Sequence, residues 1–184
     1  MKIHFKIKGL APVLFDKWPE GDETAPKTDA GYRKQAENKV YRDSKDNLAL
    51  PAAAINGAMK KAAASLTGRK QKDTVQSMRA FVFINPKLLT ILPERKTHDG
   101  ITKMIVTRNS GSKSETRVPS YRPIVNEWEV EGEIDYEEFG EDFLKQCLEL
   151  AGRKYGVLSF TPEYGRFSLE SFEVLPESDI TLKG

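Results

Sequence analysis

Between Gly152 and Phe167 the sequence sets three bases, Arg153, Lys154 and Arg166, among four rings, Tyr155, Phe160, Tyr164 and Phe167, and punctuates them with Gly156 and Gly165. Glycine lets a backbone turn through positive φ. The amides of such a turn, joined by an arginine, make a cradle for phosphate. The same residues also fit a tight β-hairpin in which Gly165 serves only the turn. A second basic run holds Lys60, Lys61, Arg69, Lys70 and Lys72, with no acid from Lys60 to Lys72. A third, from Thr102 to Arg122, sets five bases (Lys103, Arg108, Lys113, Arg117 and Arg122) against one acid, Glu115. Tyr32-Arg33-Lys34 and Lys39-Val40-Tyr41-Arg42 interleave rings with bases. That pattern suits stacking on nucleobases beside phosphate contacts, and equally a packed surface loop.

The carboxylates form the opposite pattern. Glu127, Glu129, Glu131 and Glu133 alternate with Trp128, Val130, Gly132 and Ile134. Paired carboxylates can run acid–base chemistry, but a row on one strand face also makes a solvated surface or a dock for a basic partner. From Glu127 to Glu149 ten acids meet a single base, Lys145. A chain polarised in this way can offer one face to an anion and another to a basic partner, although its net charge is only +2. With two histidines, His4 and His98, and one cysteine, Cys147, a zinc site is not expected, nor is any other metal or cofactor. The lone cysteine fits a reducing cytosol. No run of 18 apolar residues suggests a membrane span.

The 184 residues fit one domain, residues 1–184, with two excursions. Lys2 to Gly9 alternates as a half-buried strand, its polar side carrying His4, Lys6 and Lys8. Residues 10–46 read as a long irregular loop with a short strand near Val40–Arg42. A helix is expected from about Pro51 to Leu66, opened by Pro51, filled with alanines and closed by Gly68. Gly57 in its middle costs about 1 kcal/mol relative to alanine, which suggests close approach of another element or of a ligand. Strands follow between Arg79 and Leu92, broken at Asn85-Pro86. Residues 94–122 read as a projecting basic hairpin turning at Asn109-Ser110-Gly111-Ser112. A strand over Glu127–Ile134, a second helix over Tyr136–Ala151 capped by Gly152, a strand over Tyr155–Phe160 and a last strand after Phe167 complete the chain. The order is βαββαβ, an α+β, ferredoxin-like or RRM-like antiparallel sheet with two helices, a long N-terminal loop insertion and a projecting β-hairpin.

Two stretches carry a resemblance. Leu50-Pro51, three small residues, Ile55, Asn56 and Gly57-Ala58-Met59-Lys60 resemble the start of the first helix in the RAMP superfamily, the repeat-associated RNA-binding subunits of CRISPR effector complexes. Tyr164-Gly165-Arg166-Phe167 resembles the end of that family's glycine-rich C-terminal segment, at the matching place in the element order. The basic excursion stands where the family has its thumb hairpin. Ala52, Ala53 and Ala54 replace the usual Gly-Ser-Ser, Asn56 a common lysine and Lys60 an arginine.

The resemblance implies a cytoplasmic, backbone-type protein that binds single-stranded RNA or DNA, RNA first, and assembles head to tail as a homo-oligomer or as a ribonucleoprotein subunit in antiviral defence. Phosphates would be held by Lys60, Lys61, Arg108, Lys113, Arg117, Arg153, Lys154 and Arg166 with the Gly165 turn, and bases would stack on Tyr32, Tyr41 or Tyr164. Some such subunits cut RNA with a loop aspartate and a metal, which makes Asp16, Asp22 and Asp29 candidates, although no acid there sits in a metal-ligand pattern. A third reading is an interaction module that intercepts or mimics such a complex through its acidic face without touching nucleic acid.

Overall fold

The computed structural model describes residues 1–18, 28–109 and 115–176, with the backbone alone given at 107–109, 115 and 116. Ten strands and four helices follow in order: β1 (Lys2–Gly9), β2 (Val13–Leu14), α1 (Asp29–Glu37), β3 (Tyr41–Arg42), β4 (Leu48–Pro51), α2 (Ala52–Thr67), α3 (Gln71–Phe81), β5 (Val82–Asn85), β6 (Leu88–Thr90), β7 (Gly100–Asn109), β8 (Glu115–Val125), β9 (Glu129–Tyr136), α4 (Glu141–Leu150) and β10 (Phe167–Leu175).

The frame is a four-stranded antiparallel sheet in the order β10-β1-β9-β5. Taken with α2 and α4 as crossovers, this is the ferredoxin-like βαββαβ winding. Its cause lies in the alternation of the two central strands. Ile3, Phe5 and Ile7 of β1 and Val130 and Ile134 of β9 are fully buried. They join Ile55, Met59 and Ala62 of α2 and Leu144, Cys147 and Leu148 of α4 in one core. Helix α2 forms because alanine dominates it, and it stops at Gly68, whose φ is +55°. Pro51 closes β4 and stands at the N-cap rather than inside the first turn.

Two insertions decorate this frame. Between β1 and α2 lie β2, α1, β3 and β4, so residues 10–46 are not wholly irregular. The Oγ1 of Thr28 accepts from the Gly31 amide at 3.1 Å, and Asp29 occupies the first turn of α1, both good N-terminal signals. Between β5 and β9 lie β6 and the β7–β8 hairpin, ten residue pairs long from Gly100↔Ile124 to Asn109↔Glu115. Its root is tied down where Val13 and Leu14 of β2 pair with Val125 and Ile124. A third, small sheet runs β3-β4-β6.

Four expectations need correction. Helix α3 follows α2 after a 3-10 turn at Gly68–Lys70 and runs on to Phe81, inside the stretch from Arg79 that was expected to be strand. The second long helix starts at Glu141, not Tyr136, because Tyr136 still extends β9 with its ring buried and its hydroxyl donating to Glu141 Oε1 at 3.0 Å. That helix ends in a π turn, Ala151–Tyr155, so Gly152 does not cap it. A Cβ on Gly152 would strike the Phe167 carbonyl oxygen, and close packing is its role. No strand runs over Tyr155–Phe160, because Gly156, Leu158 and Phe160 all take positive φ (+69°, +63° and +55°), which an extended strand cannot hold.

Candidate nucleic-acid interface

Proteins of the RRM plan read RNA with rings on the central strands of the open sheet face. Here that face is closed to a polyanion by its chemistry. The register sets Lys2, His4, Lys6 and Lys8 opposite Asp135, Glu133, Glu131 and Glu129. Lys6 Nζ lies 2.7 Å and Lys8 Nζ 3.5 Å from Glu129, and Lys2 lies 3.3 Å from Glu133 and 3.8 Å from Asp135. The hydrogen bond from Lys6, with its charge, holds the Glu129 carboxyl below the usual carboxylate range. Glu129 and Glu133 are thus neither a catalytic pair nor a free dock but the cross-strand complement of the bases on β1, whereas Glu127 and Glu131 are exposed and form no ion pair among the described residues.

The bases that the sequence singles out for phosphate behave differently. Among the described residues, Lys60, Lys61, Arg117, Arg153, Lys154 and Arg166 form no ion pair with any acid. Lys61 precedes Ser65 by one helical turn on α2, and Ser65 Oγ accepts from Lys154 Nζ at 3.5 Å, so α2 and the π turn share one basic surface. Lys154 also lies 5.4 Å from the Tyr155 ring centroid, and Arg153 beside it is exposed. Lys113 lies outside the described residues, and the Arg108 side chain is not described although its backbone runs in β7.

The glycine loop does not offer its turn amides to a ligand. Gly165, with φ +72°, donates its amide to the Pro12 carbonyl at 2.8 Å. Gly156 donates to Ala151 at 2.8 Å, Val157 to Gly165 at 2.9 Å, and Tyr164 to Phe160 at 3.0 Å. A Cβ on Gly165 would fall on the Val157 carbonyl oxygen. The amide cradle is therefore replaced by a structural knot, and the Arg166 carbonyl itself accepts from Leu10 at 2.8 Å and Ala11 at 3.3 Å. What the loop leaves outside is the Arg166 side chain, exposed at the start of β10.

At the root of the hairpin a cluster forms that the sequence only half revealed. Tyr32 of α1 stacks on Tyr121 of β8 at 5.8 Å and 10°. Arg33 and Lys103 stand 5.5 and 5.4 Å from the Tyr121 centroid, within range of cation–π attraction. Tyr121 is 3% exposed, so only the Tyr32 ring has an outward face. Tyr32 was legible as a ring beside the bases Arg33 and Lys34; Tyr121 was not, because its partner is 89 positions away in sequence. Tyr41 is half-buried and packs against the core.

Two of the three candidate metal-binding aspartates are anchors. Asp29 accepts from Tyr121 Oη, from Lys103 Nζ at 3.1 Å and from Arg33 Nε at 2.9 Å. These donors, the tyrosine first, hold its carboxyl far below the usual range. Asp16 pairs with Arg122 and with Lys39 at 3.7 Å, and the Arg122 guanidinium lies 5.7 Å from the Phe160 ring, which ties the hairpin root to the glycine loop. Both carboxylates are thus spent on bases of the same chain. Asp22 lies outside the described residues. Among the described residues no group of three His, Cys, Asp or Glu side chains is placed to hold a metal ion, and no helix is long and apolar enough to cross a membrane.

No protein-family model and no curated protein matches the sequence. Solved structures do match. The chain is similar to a chain of the Type III-B Cmr-beta structure bound to cognate target RNA, at 13% identity and a TM-score of 0.58 over 95% of this chain and 60% of that one. It thus spans less than two thirds of that neighbour. It is also similar to Cmr6 from Pyrococcus furiosus, at 12% identity and a TM-score of 0.51 over 91% of this chain and 97% of that one. At these identities the likeness shows the fold alone.

Proposed function

We propose that this chain is an RNA-binding, backbone-type subunit of a CRISPR-related ribonucleoprotein, acting by binding rather than catalysis. The observation that carries this reading is the division among its bases. The lysines on the open sheet are paired in cis, whereas Lys60, Lys61, Arg117, Arg153 and Arg166 form no ion pair among the described residues. Unpaired bases spread over helix, turn and hairpin suit a flexible polyanion that lies along the surface, and phosphate contacts of this kind supply affinity without sequence preference. The neighbour whose name records cognate target RNA adds weight to RNA over DNA.

Assembly is part of the proposal. The exposed acids beside α4 (Glu137, Glu138, Glu141, Asp142 and Glu149) are free of the lattice that neutralises β9, and would meet the basic hairpin of a second copy head to tail. The nuclease alternative loses its two described candidates to ion pairs, and the interaction-only alternative keeps these same acids as its support. Purification under low salt tests the three readings together. Co-purifying RNA and a particle far larger than one chain are expected. A bare monomer with no affinity for added single-stranded RNA would overturn the proposal, and divalent-dependent cleavage of that RNA would restore the nuclease reading.

A further inference from the structure

The four-stranded sheet ends on β10, and among the described residues no strand lies against its outer edge. Alternate amides and carbonyls of that edge point away from β1 without a ladder partner. The run Ser171–Leu175 pairs with β1 in regular register, since the one irregularity leaves out Glu170 before it. The run contains neither proline nor lysine, residues that blunt an edge. Directly opposite residues share a face of the sheet. Phe172 and Val174 lie opposite Phe5 and Ile3, which are fully buried, yet Phe172 is only partly buried and Val174 is 45% exposed. Helix α4 packs beside β10, and its Phe139 and Phe143, stacked at 5.7 Å, are likewise only partly buried. The apolar side of the sheet is thus unfinished along this edge. On the other side Glu173 is exposed and forms no ion pair among the described residues.

The chain itself carries a segment that matches this edge. Residues 177–184 lie outside the described residues. In the sequence, Ile180 and Leu182 alternate with Asp179, Thr181 and Lys183, the period of a half-buried strand. Pro176-Glu177-Ser178 has the length of a three-residue hairpin connection, and proline is favoured at the first turn position. Such a connection sets Ile180 opposite Val174 and Leu182 opposite Phe172. It also sets Thr181 opposite Glu173, with Lys183 on the diagonal, where a long side chain reaches the carboxylate.

We propose that residues 179–183 of the same chain add to the edge of β10 as a fifth strand of this sheet. Ile180 and Leu182 then finish the apolar side, Lys183 answers Glu173, and the outward amides and carbonyls of β10 gain partners. Charge favours this occupant over a second copy of β10. Two such edges laid side by side would bring Glu170 and Glu173 of both copies together, whereas the C-terminal segment brings a lysine. The new edge is short and carries that lysine, so it resists further strand addition.

The test is disulfide trapping in the full chain. Glu173→Cys with Thr181→Cys sets two thiols on directly opposite residues, within the span that a disulfide bridges. The native Cys147 is buried and takes no part. Mild oxidation of the dilute protein should link this pair within one chain. Glu173→Cys with Leu182→Cys, one residue out of register and on opposite faces, should stay reduced. Hydrogen exchange gives a second readout. Ile180→Asp with Leu182→Asp should speed exchange at the outward amides of Ser171–Leu175 about 10-fold, the loss of about one net hydrogen bond at each, and should leave β1 as protected as in the parent. Equal linking by both cysteine pairs overturns the proposal, as do outward amides that exchange equally fast in the parent and the aspartate variant. Links that form only between chains would give the edge to a second copy and would equally overturn it.

Discussion

Removing two of the unpaired bases should change the salt dependence of RNA binding by a calculable amount. Of the bases singled out for phosphate, five have neither an ion pair nor a side-chain hydrogen bond among the described residues: Lys60, Lys61, Arg117, Arg153 and Arg166. Each phosphate neutralised on a single strand contributes about −0.7 to the slope of log affinity against log salt. Five contacts therefore give a slope of about −3.5, and a fourfold rise in salt costs about 100-fold in affinity. The double variant Lys61→Gln, Arg153→Gln should flatten the slope to about −2 and leave melting unchanged, since both side chains are exposed. The control is Lys6→Gln, Lys8→Gln. Those two lysines already face Glu129 at 2.7 and 3.5 Å, so the slope should stay where it is. Anisotropy titrations across a salt series measure all three proteins. A slope near zero in the parent refutes the electrostatic reading. Equal flattening in both double variants refutes the division between paired and unpaired bases, because the sheet face would then be in contact with RNA after all.

Other outcomes follow from single positions. Gly57→Ala should raise stability by about 0.5–1 kcal/mol in urea unfolding, since the added methyl meets open space; a loss would reveal a packed neighbour. Gly165→Ala should lower it by about 1–3 kcal/mol or more, because φ is +72° and the methyl falls on the Val157 carbonyl. Burial pushes the Cys147 thiol up to about 12, so about one molecule in ten thousand carries a thiolate at pH 8, and alkylation should wait for unfolding. Labelling at the same rate with and without denaturant would contradict its place in the core. Asp29 is held far below its unfolded pKa by Tyr121, Arg33 and Lys103. Its contribution is therefore fully present above about pH 4 and is lost as pH falls below that value. Hydrogen exchange should show α1 loosening from the hairpin under acid in the parent, and already loosened at neutral pH in Asp29→Asn.

Local signals made the frame legible, and distant partners hid the rest. The alternation in Lys2–Gly9, the alanines of α2 and its stop at Gly68 are all short-range patterns that stand where sequence reasoning puts them, and the strand read over Glu127–Ile134 is found two residues on, at Glu129–Tyr136. Helix α3 escaped because only Met78 is buried along its eleven residues, which leaves almost no apolar stripe to read. Helix α1 escaped for a related reason: a polar segment with Gly31 inside it is held by its partners, through Asp29, Tyr32 and Arg33 against the hairpin. The phosphate cradle at Gly165 failed as a reading because the acceptor for its amide is Pro12, more than 150 positions away. Glycine spacing reports that a turn exists; it does not report who takes the amides.

The pairing of β1 with β9 decides where any nucleic acid must go. Both rows of charge were visible in the sequence, but only the register sets one against the other, and a shift of one residue would have turned the bases inward and the apolar side chains out. With the register as found, the surface that a ring-bearing sheet would use for RNA is a salt lattice with a small excess of carboxylates, and no Phe, Tyr or Trp of its two central strands faces outward. Any contact with RNA would thereby be left to α2, the π turn and Arg117 of the hairpin, where bases have no carboxylate opposite them among the described residues. Of the candidate bases, those on α2, the π turn and Arg166 belong to the ferredoxin-like frame, and Arg117 alone comes from an insertion, so the working surface in this view is the helical side and the hairpin together. Reversing the lattice charge by charge is therefore the perturbation that separates sheet face from interface: Lys6→Glu with Glu129→Lys should keep the fold and leave RNA affinity as it was.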